Sequence, residues 1–400
     1  MIYRKYVSQF GPTPSLYLCK IVSVEAKIEL FDFSKDWLMG KGKYATVKRT
    51  SNERSITTAI YITRGILMKA IVLRETGGPN QVRCEEVEVP TPKSDEVVIR
   101  LKYAALNRRD LWITYGMYPG MQLPSILGSD GAGEIVAVGD QVANIQTGSA
   151  VVINPSLNWG ESRVHYSPEH RTLGMPSDGT FAEYVTVAAE NVYAKPEHLS
   201  WEEAAALPLA GLTAYRALMY RGSLQEGENV LIPGIGGGVA LTALQIAVAH
   251  GANVFVTSSS DAKLEKAKQL GAAGGVNYRS DNWVKEMKKL MGGADLVLDG
   301  IGGDNFNQMV ALAKPAGRIV NYGATMGPIK ELVLPRIFFK HLDIRGTTMG
   351  SPEDFKEMLQ FFEEHRVSPY IEQSFPLEAT ADALVYMEKG ENFGKITLEI

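Results

Sequence analysis

The sequence predicts an α/β protein with two architectures in one chain: a compact, mostly antiparallel β domain, then a doubly wound parallel sheet flanked by helices. Three observations predict it. From Met68 to about Glu190 the chain reads as short strands broken by Gly and Pro (KAIVL, EEVEVP, EVVIRLKYAAL, GEIVAVG, SAVVINP, TFAEYVTVA), with no long helical period between them. Beyond Ala194, β-like runs (VLI, VFVT, GGVNY, DLVLDG, GRIVNYG, DIRGT) are separated in several places by helical ones, the pattern of βαβ units and therefore of parallel pairing. A glycine cluster ending in Gly236, Gly237 and Gly238 joins the first of these runs to an Ala/Leu-rich helical stretch.

Composition sets the outer limits. The chain has 400 residues, 45% hydrophobic and 22% charged, enough for two cores. A net charge of −4 points away from nucleic acid and anionic membranes as partners. No uncharged apolar run reaches the ~20 residues of a membrane-spanning helix. Cys19 and Cys84 are the only cysteines, too few for a disulfide framework or a thiolate zinc cluster, which fits a reducing compartment.

Residues 1–67 stand apart. They are basic where the rest of the chain is acidic, and KDWLMGKGKYATVKRTSNERS at their centre shows no sustained period of 2 or 3.6. A mitochondrial targeting peptide is Arg-rich and nearly free of acids, whereas this stretch has more lysine than arginine and several acids. The reading is an accessory, poorly ordered extension or a misassigned start, in a cytoplasmic protein. A mitochondrial location follows only if the extension is a genuine targeting segment.

The domains then run 68–193 with 347–400 for the β domain and 194–346 for the parallel sheet. Ser200 followed by Glu203 is a capping box that opens a helix. KLEKAKQLGA ends another helix with Gly271 in the usual C-terminal place. The tail, PEDFKEMLQFFEEH to NFGKITLEI, supplies two helical runs and a last strand that folds back on the β domain.

The glycine turn is where the chemistry begins. Read as Ile235-x-Gly237-x-x-Ala240, it allows a pyrophosphate close to the backbone at Gly237 and close helix–strand packing at Ala240. The amides of Gly236, Gly237, Gly238 and Val239 at the helix start then bind phosphates. In many NAD sites an acidic residue about 20 positions further on holds the ribose hydroxyls. Here that place reads Ser258, Ser259, Ser260. Without the carboxylate a 2′-phosphate is accommodated, received by the hydroxyls of Ser258 and Ser259 and the ammonium of Lys263. Asp261 is the counterweight, better read as a helix-start residue aligned with the macrodipole. The turn therefore favours NADP(H) over NAD(H).

LNRRDL, LGSDGAGEIVAVG, DGTFAEYV, AAALPLAGLTAYRAL and KPAGRIVNYGA occur in the order and spacing of the medium-chain dehydrogenase/reductase superfamily, which Met68–Ile400 resembles throughout. The resemblance implies a GroES-like β domain joined to a Rossmann domain. Its departures are informative. Where zinc alcohol dehydrogenases carry ligands, this chain has Asn107, Ser129-Asp130 and Leu209. Catalytic zinc needs about three Cys, His or carboxylate ligands, and at most Asp130 remains. The stretch matching their four-cysteine structural lobe, NPSLNWGESRVHYSPEHRTLGMPSDGT, has no cysteine, and its His165 and His170 read as solvated loop histidines. No metal site is expected.

The resemblance is therefore to zinc-free branches, the zeta-crystallin-like quinone oxidoreductases and the enoyl reductases. It implies catalytic roles for Tyr118, in the GMYPG loop, and Asn107, with Asp130 orienting neighbours. Taken singly, Tyr118 reads as packing beside Pro119, Asn107 as a turn hydrogen bond and Asp130 as a loop carboxylate on backbone amides. The resemblance also places the nicotinamide near Thr213, adds Tyr278 beside Lys263 in NADP binding, and puts Gly323 in the cofactor cleft. The activity it implies is NADPH-dependent hydride transfer to quinones or α,β-unsaturated carbonyls. Two alternatives stay open: a relative of zinc-type alcohol dehydrogenases acting on alcohols or aldehydes, and a crystallin-like cofactor-binding protein with little turnover. Relatives imply a small-molecule substrate and a homo-oligomer, dimer or tetramer, with sheets pairing at an edge.

Overall fold

The computed structural model describes residues 27–30, 43–51, 54–62 and 66–400. The chain forms two units, Met1–Ile66 and Leu67–Ile400. In the first, β1 (Lys27–Leu30), β2 (Lys43–Ser51) and β3 (Arg54–Ile62) make a three-stranded antiparallel sheet in the order β1-β2-β3. This departs from the expectation of a stretch without regular elements. The reason lies in composition: YATVKRTS and RSITTAIYI are dense in Thr, Ile, Val and Tyr, which favour the extended backbone even where polar residues hide the alternation. The rest of the extension, with its targeting reading, lies outside the described residues.

In the second unit, β4 (Leu67–Leu73) lies between β5 (Val82–Glu88) and β7 (Ser125–Ile126) in a small antiparallel sheet. Beside it a seven-stranded sheet is built on β6 (Glu96–Ala105) and β8 (Asp130–Val138), with β9 (Ala150–Ile153), β12 (Tyr184–Ala188), β13 (Val192–Ala194), β20 (Ile371–Pro376) and the last strand. The end of the chain closes this sheet, because β21 (Lys395–Glu399) pairs antiparallel with β6 through Thr397↔Ala105 and Leu398↔Ala104. That pairing carries residue 395 to the side chains that follow β6.

The remaining strands are parallel: β14 (Asn229–Ile232), β15 (Asn253–Ser258), β16 (Gly274–Asn277), β17 (Ala294–Asp299), β18 (Ala313–Asn321) and β19 (Asp343–Gly346). Their order is β16-β15-β14-β17-β18-β19, so the strand order reverses between β14 and β17. In doubly wound sheets ligands bind in the crevice at the carboxyl ends of the strands at such a point. Val230, Leu231 and Ile232 are fully buried, as in a strand covered on both faces. Each contributes about 1.5–3 kcal/mol by leaving water. The fold is thus α/β, a GroES-like β domain with a Rossmann doubly wound sheet.

Between Asn154 and Met175 the chain leaves the β domain as a lobe containing one short strand pair, β10 (Ser156–Leu157) with β11 (Arg171–Thr172). His165 is exposed, with Nδ1 3.0 Å from the Tyr166 carbonyl. His170 corrects the expectation of a solvated histidine. Its Nε2 lies 3.0 Å from Ser156 Oγ, and its ring packs on Trp159 and Tyr166 with centroids 5.3 and 4.8 Å apart. Burial pushes its pKa below the ordinary value, so it behaves as an aromatic packing residue.

Candidate active site

The glycine turn follows β14 and opens onto a cleft of about 750 Å³ between the two sheets. The helix Gly238–Ala249 starts without a side-chain cap and without an acid in its first turn, leaving its first amides for an anionic ligand. Two glycines are required by geometry. Gly236 has φ +143°, a backbone conformation that other residues avoid. A Cβ on Gly238 would stand 2.9 Å from Lys395 Cδ, so the helix begins close against that lysine's stem. Thr213, Gly236, Gly237, Gly238, Val239, Ser258, Ser259, Lys263, Tyr278 and Gly323 all line the cleft, as do Asn107 and Tyr118. Asp130 lies behind Asn107.

The residues at the zinc-ligand positions do converge, but around a lysine. Lys395 Nζ donates to Asn107 Oδ1 and Asp130 Oδ2, both at 2.8 Å, and to the Leu106 carbonyl at 2.9 Å. Asn107 Nδ2 donates to the same Asp130 oxygen at 2.9 Å, and the Leu209 amide donates to the other at 2.8 Å. Asp130 and Lys395 are fully buried, and such charges persist only when paired and hydrogen-bonded. Asn107 also starts the helix Arg108–Thr114, its amide donating to Asp110 Oδ2 at 2.7 Å and its carbonyl accepting from the Asp110 amide at 2.9 Å.

This set does not fit zinc. Two of its oxygens are held by an ammonium, Leu209 presents an N–H donor, and the Ser129 hydroxyl donates to the Leu173 carbonyl at 2.9 Å. Among the described residues no group of three or more His, Cys, Asp or Glu is placed to hold a metal. Sequence reasoning missed Lys395. Its only local signal was a lysine opening the apolar strand KITLEI, which by itself says nothing about a partner.

At the other end of the cleft the serines divide their labour. Ser258 is buried, and its hydroxyl accepts from the Ser260 amide at 3.1 Å. Ser260 caps the helix Asp261–Gln269 by accepting from the Lys263 amide, while Ser259 stays half-exposed. The Asp261 carboxylate accepts from Asn277 Nδ2 at 2.8 Å. Lys263 reaches back toward the glycine turn. Its Nζ donates to the carbonyls of Gly390 and Asn392 at 2.9 Å and would stand 3.4 Å from a Cβ on Gly236. Burial pushes its pKa down. The ring of Tyr118 lies over the guanidinium of Arg109, 4.6 Å from its centroid to Cζ.

Comparison with known proteins places both domains in one family. Residues 93–197 match the alcohol dehydrogenase GroES-like domain, and residues 238–364 match the zinc-binding dehydrogenase family. The zinc-type alcohol dehydrogenase-like protein YogA of Leptosphaeria maculans is 38% identical over 339 residues, 78% of this chain and 93% of that protein. Human quinone oxidoreductase is 30% identical over 328 residues, 79% of this chain and 93% of that protein. The crystal structure of an NAD-dependent alcohol dehydrogenase is 39% identical, with a TM-score of 0.80, and covers 83% of this chain and 100% of its own. The chain belongs to the medium-chain dehydrogenase/reductase superfamily and is an oxidoreductase of the nicotinamide-binding kind.

Proposed function

We propose that this chain is an NADP(H)-dependent oxidoreductase that passes hydride to quinones or α,β-unsaturated carbonyls without zinc. The observation that carries the proposal is the Lys395 ammonium, bonded to Asn107 and Asp130 where a zinc alcohol dehydrogenase would hold its metal. Alcohol oxidation in that family relies on a Lewis acid. Reduction of an electron-poor alkene or quinone needs positioning and stabilisation of a developing oxyanion. Bound in the cleft, a dihydronicotinamide supplies the hydride.

The chain's own residues do the rest. The uncapped helix start holds the phosphates. Thr213 lines the cleft, and the proposal puts the nicotinamide beside it. Asn107 and Asp130 fix the wall behind it, and Tyr118 is the first candidate proton source, Asn107 the second. A second reading, an NAD-dependent enzyme of alcohols or aldehydes, is favoured by the 39% identical solved structure. The donor set at Asn107, Ser129 and Leu209 counts against its zinc form.

Steady-state oxidation of NADPH and NADH against quinone, enone and aldehyde panels, with elemental analysis of the protein, tests the proposal. The expected result is chelator-insensitive turnover of quinones or enones. Stoichiometric zinc with alcohol oxidation, or cofactor binding without turnover, would overturn it. For the cofactor, Lys263→Ala should weaken NADPH by about 1.5–3 kcal/mol more than NADH, as expected for a lost charge-assisted phosphate contact. Equal weakening in a fluorescence titration would leave Lys263 only its bonds to the Gly390 and Asn392 carbonyls.

The same proposal includes a cytoplasmic setting and a homo-oligomer. β19 is an edge strand of the parallel sheet, and the segment leading into it exposes Leu334, Phe338 and Phe339, the last 76% exposed, with Ile344 exposed on the strand. An edge left unpaired among the described residues, beside apolar side chains, favours pairing with a second copy. Light scattering should give at least a dimer of the 43.8 kDa chain, and a monomer at working concentrations would remove this part.

A further inference from the structure

Arg109, in the first turn of the helix Arg108–Thr114, is only 9% exposed and lines the cleft beside Tyr118, Thr172 and Leu209. Its Nη1 is anchored, donating to Ser129 Oγ and to the Leu173 carbonyl at 2.9 Å. Its Nε and Nη2 are buried with no hydrogen-bond partner among the described residues. The nearest carboxylate, Asp110 Oδ1, is 3.9 Å from Nη1, beyond hydrogen-bond reach, and the other Asp110 oxygen accepts from the Asn107 amide at 2.7 Å. Burial pushes the Asp110 carboxyl up to about 6.

Lys395 is the contrast: its ammonium donates to three acceptors and has no proton to spare. A buried guanidinium with unspent donors is costly until an acceptor oxygen arrives. Its partner Ser129 occupies a zinc-ligand position, so this charge stands beside the place where a metal would polarise the substrate.

We infer that Arg109 is the electrophilic donor of the cleft, binding the carbonyl or quinone oxygen on which negative charge develops. The inference rests on the quinone or enone reading above and deepens it. A dihydronicotinamide bound in the cleft would supply hydride to the β-carbon, so that the alkene π pair would move toward the carbonyl and the displaced pair would come to rest on oxygen. Arg109 donates to that oxygen, and a proton from Tyr118 or solvent completes the reduced product. The Tyr118 ring covers one face of the guanidinium, which limits water and strengthens the electrostatic contact.

4-Nitrophenol tests this apart from turnover, because its absorbance distinguishes phenol from phenolate. At a pH below its solution pKa, the full-length wild-type protein should convert bound probe to phenolate. Arg109→Met should abolish the shift, and Arg109→Lys should restore part of it. Tyr118→Phe, which keeps the ring, should retain it. In turnover, Arg109→Met should lower kcat/KM for enones about 10²–10³-fold, with NADPH affinity unchanged. If Arg109→Met does not fold, Arg109→Lys carries the comparison through an intermediate loss. Probe bound to wild type as the neutral phenol, or a shift lost in Tyr118→Phe and kept in Arg109→Met, would overturn the inference. An Arg109-dependent shift in a protein that reduces neither quinones nor enones would support the oxygen site and overturn the proposed function.

Discussion

Lys395→Met should destabilise the second unit by about 3–5 kcal/mol, the cost of leaving a buried charge without its partner. The Asp130 carboxylate would keep only the Asn107 and Leu209 N–H donors, and the Leu106 carbonyl and Asn107 Oδ1 would each lose the Lys395 bond. Methionine fills nearly the same volume, so the loss is electrostatic and not a cavity effect. Adding Asp130→Asn should recover much of it, because replacing both members of a buried pair is often close to neutral. Urea unfolding of the single and double variants measures the coupling. A single-variant loss below about 1 kcal/mol, the scale of an exposed pair, would show that this bridge is worth no more than a surface one.

The second large effect is expected at Asp354. It is fully buried and accepts from Arg216 Nη1, from Arg163 Nε at 2.9 Å and from the Ser351 amide at 2.9 Å. Arg163 also reaches Glu357 through both terminal nitrogens, and Arg216 donates to the Arg163 and Val164 carbonyls. These bonds fasten the 154–175 lobe to the helix Pro352–His365. Two arginines and a carboxylate tie this lobe down, in a stretch without cysteine. Asp354→Ala should cost about 3–5 kcal/mol from the uncompensated arginines and about 1 kcal/mol more from the lost capping box. Asp354→Asn, which keeps an acceptor for the helix start, should fall between Asp354→Ala and wild type. Proteolysis within the lobe should accelerate in both variants. Unchanged cleavage there would mean that the aromatic cluster of Trp159, Tyr166 and His170 holds the lobe unaided.

What could be read from the sequence was local. The βαβ alternation predicted the parallel sheet, and a glycine run between a strand and a helix predicted an anion-binding turn. The motifs around Asn107 and Tyr118 marked both as cleft residues, and both line the cleft. The strands of residues 27–62 escaped because their apolar residues do not alternate cleanly, although β-formers are dense there. The partners of the site residues were not legible at all. Lys395 is 288 positions from Asn107 and 265 from Asp130, and Lys263 meets carbonyls 127 and 129 positions away. The unspent donors of Arg109 depend on where Ser129, Leu173 and Asp110 come to lie around it. Backbone propensity and hydrophobic period act over a few residues, so they determine which segments become strands, turns and helix starts. The last strand's return to the β domain was expected, but which charge meets which across the cleft was decided by its register on β6, which no local period encodes.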